Sequence, residues 1–99
     1  MLMSGGETFD PSNYKLIKIT PSKRKYKKYQ ALLRNVRTGR TKTVHFGDSR
    51  YQQYKDSTGI GKYSHKDHLD LARRRRYYQR HGRKAPKWSP KWFSHKYLW

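Results

Sequence analysis

Positive charge lies in two long segments of this chain, and neither segment contains an acidic residue. Residues 15–42 hold eleven Lys or Arg, and residues 71–99 hold ten. The segment between them, residues 45–70, is balanced, with four basic and four acidic residues. Because like-charged segments repel each other, placing both in one small domain lowers its stability unless an anionic surface screens them. The pattern predicts a chain that binds a polyanion or an acidic protein surface.

The chain has little apolar material for a core. Leu, Ile, Val and Phe together number 15 of its 99 residues, and the formal net charge is +19. Such a composition is typical of disordered chains, but the 15 aromatic residues, nine of them Tyr, argue against disorder throughout. We therefore expect one small domain with a core built largely from aromatic rings, and extended arms that become ordered against a partner.

Three features limit the class of protein. The one apolar run worth testing, residues 16–19, is too short to span a bilayer. Residues 1–10 lack the basic start and the apolar stretch of a secretory signal. The sequence contains no Cys, so it has no disulfide framework, zinc ribbon or thiol nucleophile. We expect a soluble chain that is not exported and does not span a membrane.

Residue patterns predict strands in the first half of the chain. Residues 14–20 alternate in the manner of a short strand, which Pro21 closes. Residues 29–36 and 41–46 are two β-compatible runs, and Gly39 in their short connection supplies the positive φ of a tight hairpin.

One helix is expected from about residue 65 to residue 81. Ser64 would cap it with Asp67 in the capping-box position, and Gly82 would end it. The predicted fold class is therefore α+β. It consists of a small β-hairpin or three-stranded meander, followed by one basic helix and an aromatic C-terminal tail, with extended arms.

The same patterns divide the chain into three parts. We assign residues 1–13 to a flexible N-terminal arm, residues 14–87 to a small basic α+β domain, and residues 88–99 to a Trp-rich C-terminal tail. Three Trp in twelve residues would be costly to leave in water, because each aromatic side chain can bury about 150–250 Å². The tail either folds back over the hairpin or inserts into another molecule.

No group of residues predicts catalysis or a metal site. His65 and His68 have the i, i+3 spacing of one helix face, but there is no Cys and no second His pair at ligand spacing. Residues 59–62, Gly-Ile-Gly-Lys, lack the spacing of a phosphate loop. The sequence has no carboxylate pair in an apolar context and no nucleophile elbow. We predict a non-enzymatic protein with no cofactor and no bound metal.

The candidate binding residues are basic patches and the aromatic residues of the tail. The basic residues would bind a polyanion or an acidic partner, and they are Lys23, Arg24, Lys25, Lys27, Lys28, Arg73, Arg74, Arg75, Arg76, Arg80, Arg83 and Lys84. The aromatic residues would form the core or anchor a partner, and they are Trp88, Trp92, Phe93, Tyr97 and Trp99. Lys and Arg neutralise phosphates, and Tyr and Trp stack on exposed bases. Because no sequence-reading motif is present, contact with nucleic acid would be independent of its sequence.

Five short motifs follow one another in the second half of the chain. They are residues 43–47 (Thr-Val-His-Phe-Gly), residues 65–67 (His-Lys-Asp), the Arg-rich segment leading to Tyr78, Arg80 and His81, residues 92–94 (Trp-Phe-Ser), and residues 98–99 (Leu-Trp). Over roughly residues 29–99, this order resembles a family of small basic uncharacterised proteins of large nucleocytoplasmic DNA viruses. The chain departs from that family at residues 85–87, which are basic where the family is acidic. The resemblance implies a viral origin and a place in the particle, and it supplies no catalytic residues.

Charge, tail and resemblance together lead to two functional expectations. The first is a structural component of a large double-stranded DNA virus particle, a minor capsid or inner-shell protein that docks by basic patches and an aromatic tail. Its partners would be other virion proteins, the major capsid protein above all, and it would occupy the virion, and the host cytoplasm during assembly. The alternative is a viral nucleic-acid-binding protein without sequence preference, in contact with viral DNA. A ribosomal protein would share the size and charge, but the resemblance disfavours it.

Overall fold

Three antiparallel strands precede two helices in the computed structural model, which describes residues 9–99. The strands are β1 (Tyr14–Pro21), β2 (Lys27–Asn35) and β3 (Thr41–Asp48), and the helices are α1 (Leu71–His81) and α2 (Pro90–Tyr97). The sheet order is β1-β2-β3. This arrangement confirms the predicted α+β class and its three-stranded meander.

The predicted N-terminal arm lies partly outside the described residues. Within its described end, Pro11–Asn13 form one 3₁₀ turn. The Asp10 side chain caps this turn by accepting a hydrogen bond of 3.0 Å from the backbone N–H of Ser12. The turn leads directly into β1.

Local turn chemistry explains the hairpin between β2 and β3. The Asn35 side-chain oxygen accepts hydrogen bonds from the backbone N–H groups of Arg37 (2.9 Å) and Thr38 (3.2 Å). Gly39 then adopts φ of +77°, a conformation that glycine reaches without a Cβ penalty. Its N–H donates back to the Asn35 carbonyl at 2.7 Å. The predicted hairpin is therefore present, and its turn brings β2 and β3 together.

The C-terminal tail folds back over the sheet, which is one of the two arrangements left open by the sequence. The core combines Tyr29, Ala31, Leu33, Val44 and Phe46 of the sheet with Trp88, Phe93 and Leu98 of the tail. Phe93 stacks on Phe46 with their ring centroids 5.1 Å apart. The core is thus largely aromatic, as the composition predicts.

The prediction of a single helix is wrong, because the tail itself contains α2. Its N-terminus has two strong local signals. The Ser89 hydroxyl accepts a hydrogen bond of 3.1 Å from the N–H of Trp92, and Pro90 occupies the first turn. The segment is short, and its aromatic residues face the sheet, so packing rather than helix propensity stabilises it.

The predicted start of the first helix is also wrong. Ser64 does not cap a helix but begins a single 3₁₀ turn, Ser64–Lys66. The N-cap of α1 is instead Asp70, which accepts hydrogen bonds from Ala72 (2.9 Å) and Arg73 (3.1 Å). Leu69, just before it, has φ of +55° and interrupts any continuous helix from residue 65.

A contact distant in sequence removes Asp67 from the predicted capping box. Its side-chain oxygen accepts hydrogen bonds from the Gln53 amide at 2.6 Å and from the backbone N–H of Asp56 at 2.8 Å.

Within residues 9–99, neither helix has the length and apolar character needed to cross a bilayer.

Candidate functional site

Positive charge is almost entirely uncompensated by neighbouring carboxylates. Among residues 9–99, which include all 25 Lys and Arg, a single ion pair forms, between Arg50 and Asp48 at 2.8 Å. The Arg50 guanidinium also donates through Nε to the same carboxylate at 3.0 Å. These hydrogen bonds lower the pKa of Asp48 to about 2. Most of the cationic side chains are therefore available to an external anion.

The exposed side of α1 forms one wall of a basic groove. Arg73, Arg76 and Arg80 share this side because residues three and four positions apart are neighbours on a helix. The facing wall comes from the loop after β3, and the cavity between them has a volume of about 410 Å³. We call this cavity the arginine groove, and its lining consists of Arg50, Tyr51, Gln52, Arg73, Arg76, Tyr77, Arg80 and Trp99.

A hydrogen bond joins the two walls of the arginine groove, and the Arg50 side has supporting contacts of its own. On α1, Arg73 donates to the Gln52 side-chain oxygen at 2.8 Å. On the opposite side, the Arg50 guanidinium packs 4.4 Å from the ring centroid of Tyr26 and is held by Asp48. In the part of the chain that the structure describes, Arg76 and Arg80 form no side-chain hydrogen bond. These two guanidinium groups keep all their donors for a ligand.

The floor of the groove is a stacked aromatic pair. The rings of Tyr77 and Trp99 lie 4.2 Å apart between centroids and are parallel to within 5°. Burial raises the pKa of Tyr77 to about 12, and the Tyr77 hydroxyl forms a hydrogen bond of 3.1 Å with His95 Nδ1. Arg74 donates through Nε to the carbonyl of Trp99 at 2.6 Å. Since α1 has no buried residue, these contacts with the C-terminal segment position the helix.

The Arg run predicted as one patch is divided by the helix geometry. Three of its members line the arginine groove, whereas Arg74 turns inward against Trp99. Arg75 lines a smaller cavity of about 180 Å³ together with Arg83. Arg83 and Lys84 also line a third cavity, of about 520 Å³, together with residues of α2. The predicted residues are therefore on two separate surfaces.

The predicted basic patch before the hairpin is smaller than expected. Lys23, Arg24 and Lys25 are exposed in the turn between β1 and β2, and Lys27 is half-buried at the start of β2. Lys28 is 2% exposed, so its assignment as a binding residue is wrong. Lys28 belongs to β2, and the segment between β3 and α1 covers it.

The buried Lys28 belongs to a polar network beneath that segment. Its Nζ donates to the Gln53 side-chain oxygen at 2.5 Å, and burial is the main reason that its pKa falls to about 8. In the same network, the Tyr29 hydroxyl donates to Asp56. Burial alone would raise the pKa of Asp56, but hydrogen bonds from Thr58 and Tyr29 outweigh it and lower that pKa. The network attaches the segment between β3 and α1 to the sheet.

The predicted aromatic residues all lie in the core or against it. Trp88 and Phe93 are buried, and Trp92, Tyr97 and Trp99 pack on the core while half-buried. The Trp88 indole N–H donates to the carbonyl of Pro11 at 3.0 Å. The tail thus closes the fold, and Trp99 adds the aromatic floor of the groove.

The neutral middle segment contributes residues to the groove that are absent from the predicted binding residues. Arg50, Tyr51 and Gln52 follow β3 directly, and Tyr51 is 64% exposed. A basic and an aromatic residue side by side after a strand break were the available signal.

Within residues 9–99, no group of three or more His, Cys, Asp or Glu is placed to hold a metal ion.

Comparison with known proteins gives one partial similarity. The model of a family of unknown function (DUF5754) matches residues 17–58. The matched segment covers most of the sheet and the start of the loop after β3, including the groove wall that this loop forms, and it ends before α1. No curated protein and no solved structure matches the chain.

Proposed function

We propose that this chain is a non-enzymatic structural component of a large double-stranded DNA virus particle. It would act as a minor capsid or inner-shell protein that docks on acidic surfaces of other virion proteins, the major capsid protein above all. The observation that carries the proposal is a net charge of +19 with one ion pair among residues 9–99. The viral context comes from the motif resemblance over the second half of the chain.

Charge repulsion makes an acidic neighbour favourable for this fold. Each exposed ion pair contributes little, typically about 0–1 kcal/mol, so stable docking needs several contacts at once. Three separate basic surfaces support such multiple contacts: residues 23–25, the arginine groove, and Arg83 with Lys84. The aromatic residues of the tail pack in or against the core of this chain. Docking in this proposal therefore depends on the basic surfaces and does not use an inserted aromatic tail.

Cross-linking mass spectrometry on intact particles tests this proposal. With a carbodiimide, which activates carboxylates to form amides with lysine amines, we expect Lys23, Lys25 and Lys84 to link to acidic regions of a shell protein. Lys28 serves as an internal control, because a side chain that is 2% exposed should give no link. The protein should stay with the shell when the genome is released. Departure with the genome, with no shell cross-links, would contradict a shell role.

A second candidate function is binding of viral nucleic acid without sequence preference. The observation that favours it is the arginine groove, where the exposed Tyr51 lies beside four arginines. Such a protein should bind random DNA with an affinity that falls steeply as salt rises, because phosphate contacts release counterions. Retention on the genome in opened particles would favour this function over the first.

A further inference from the structure

We propose that the arginine groove is a binding site for a single-stranded nucleic acid. Arginines from both walls hold its phosphates, and one unstacked base packs against Tyr51. This inference rests on the proposed binding of polyanions, and it names the ligand of one surface. Three features of the groove carry it: the kind of cation, the absence of acids in the lining, and the exposed aromatic side chain.

The cations in the groove are all arginines. A guanidinium presents several N–H donors in a planar fork that matches two phosphate oxygens, whereas a lysine offers a point charge. Arg76 and Arg80 lie on adjoining turns of α1, and Arg50 faces them from the loop after β3. The lining contains no Asp or Glu. The carboxylate of Asp48, just outside this lining, is paired with Arg50 at 2.8 Å. An anion that enters the groove therefore meets the free donors of Arg76 and Arg80 on one wall and the paired guanidinium of Arg50 on the other.

The size of the groove favours more than a bare phosphate. Its volume of about 410 Å³ lies within the range of about 300–1,000 Å³ found for small-molecule sites. The stacked rings of Tyr77 and Trp99 form the floor, and a hydrogen bond between Arg73 and Gln52 joins the walls. The floor and walls are therefore formed before a ligand binds, and the ordering cost falls on the side chains of Arg76 and Arg80.

Tyr51 distinguishes single strands from other polyanions. It is 64% exposed, and the Arg50 guanidinium lies 5.7 Å from its ring centroid. Stacking on such a ring requires a free base face, which a duplex keeps covered and an acidic peptide lacks. A carboxylate-rich partner would use the arginines but gain nothing from this ring. The combination therefore favours unpaired bases with a phosphodiester backbone.

Fluorescence anisotropy with the full chain tests the inference. The probes are a labelled oligothymidine of about 12 nucleotides, a random duplex of the same length and labelled poly-glutamate, all in about 0.15 M salt. The groove variant combines Arg76→Gln with Arg80→Gln. Its matched control combines Lys23→Gln with Lys25→Gln, which removes the same charge from an exposed turn elsewhere. Thermal unfolding of each variant checks that the fold is retained.

We expect the groove pair to weaken oligothymidine binding at least about tenfold more than the control pair, since it removes two of the site's own donors. Tyr51→Ala should weaken oligothymidine binding about 5- to 150-fold, the effect of losing one stacked base. Tyr51→Phe should keep the affinity, because it retains the ring. Binding of poly-glutamate should be the same for Tyr51→Ala as for the natural chain.

Three results would overturn the inference. The groove pair and the control pair could weaken oligothymidine binding equally, Tyr51→Ala could weaken poly-glutamate as much as oligothymidine, or the duplex could bind more tightly than the single strand. If poly-glutamate binds and the groove substitutions leave the affinity for oligothymidine unchanged, the groove inference fails and the proposed docking on acidic surfaces survives. If none of the three probes binds, both proposals fail.

Discussion

Replacement of Lys28 by Met should remove a pH dependence of stability that arises from the burial of its ammonium group. Lys28 is 2% exposed and has no ion pair within the described chain. Burial, followed by repulsion from Lys66, lowers its pKa from 10.5 to about 8. Met preserves most of the apolar length of the side chain and carries no charge. The substitution therefore isolates the free energy of keeping one ammonium group buried.

The sign of the effect follows from proton binding. Between the folded pKa of about 8 and the unfolded value of 10.5, the unfolded chain binds more protons at Lys28 than the folded chain. Stability therefore rises with pH through this window. At pH 7 the charged lysine destabilises the fold by about 3 kcal/mol, and about 2 kcal/mol of that penalty is relieved by about pH 9.5. The natural chain should gain this amount over that interval.

Two other effects must be separated from this gain. Removal of Nζ leaves the Gln53 oxygen without its donor, which costs about 1–3 kcal/mol and offsets much of the benefit at pH 7. Burial raises the pKa of Tyr29 and of Tyr77 to about 12. Their stabilising contribution is complete below pH 10 and is lost as pH rises toward 12. Measurements that stop near pH 9.5 avoid this second effect.

Urea unfolding followed by Trp fluorescence gives the required comparison. The free energy of unfolding is measured for the natural chain and for Lys28→Met at about pH 7 and 9.5, at one ionic strength. The difference between the two proteins should shift by about 2 kcal/mol in favour of the natural chain at the higher pH. Equal pH dependence in both proteins would show that the Lys28 ammonium is solvated, and would refute its burial.

Three further substitutions probe the core, a close backbone contact and a helix cap. Phe93→Ala should destabilise the fold by about 3–5 kcal/mol, because the side chain is fully buried against the sheet; Leu71→Ala, at a residue 63% exposed, should change the unfolding midpoint very little. Gly47→Ala should lower the free energy of unfolding in urea by about 1–3 kcal/mol. The new Cβ would lie 2.8 Å from Leu98 Cδ1, and the backbone at Gly47 has a φ of +77°; a neutral effect would contradict that close approach. Asp70→Ala should lower the helical signal in far-UV circular dichroism while Asp70→Ser keeps it, because a hydroxyl can still accept from the first turn of α1; equal losses would argue against the cap.

Local signals made the sheet predictable. The hairpin depends on Asn35 and Gly39, which are four residues apart and act on their own turn. The start of α1 was mispredicted because Asp67 is recruited by Gln53, fourteen residues earlier in the chain. A capping box can be recognised from sequence, but competition from a distant amide cannot. The second helix was missed because packing of Phe93 on the sheet, rather than helix propensity, stabilises so short a segment.

Only one wall of the arginine groove could be predicted from the sequence. The basic run of α1 marked Arg73, Arg76 and Arg80 directly. The opposite wall comes from a segment of zero net charge, where the signal is a single basic residue, Arg50, beside the aromatic Tyr51. Its placement depends on the loop after β3 and on the C-terminal segment meeting in space. The burial of Lys28 could not be predicted for the same reason. It depends on the segment between β3 and α1, which covers β2, and the basic neighbours of Lys28 in sequence give no sign of it.

The C-terminal segment couples the core to the groove. Phe93 and Leu98 close the sheet, while Trp99 stacks on Tyr77 and so positions a helix that buries no residue of its own. Arg73, Arg76 and Arg80 place three like charges on one side of α1, with no carboxylate among the residues that line the groove, and their mutual repulsion weakens the helix. An anion in the proposed site would relieve that repulsion, and because the site needs both walls, its binding would stabilise the folded chain. The charges that weaken the isolated fold are therefore the same charges that would bind its partner.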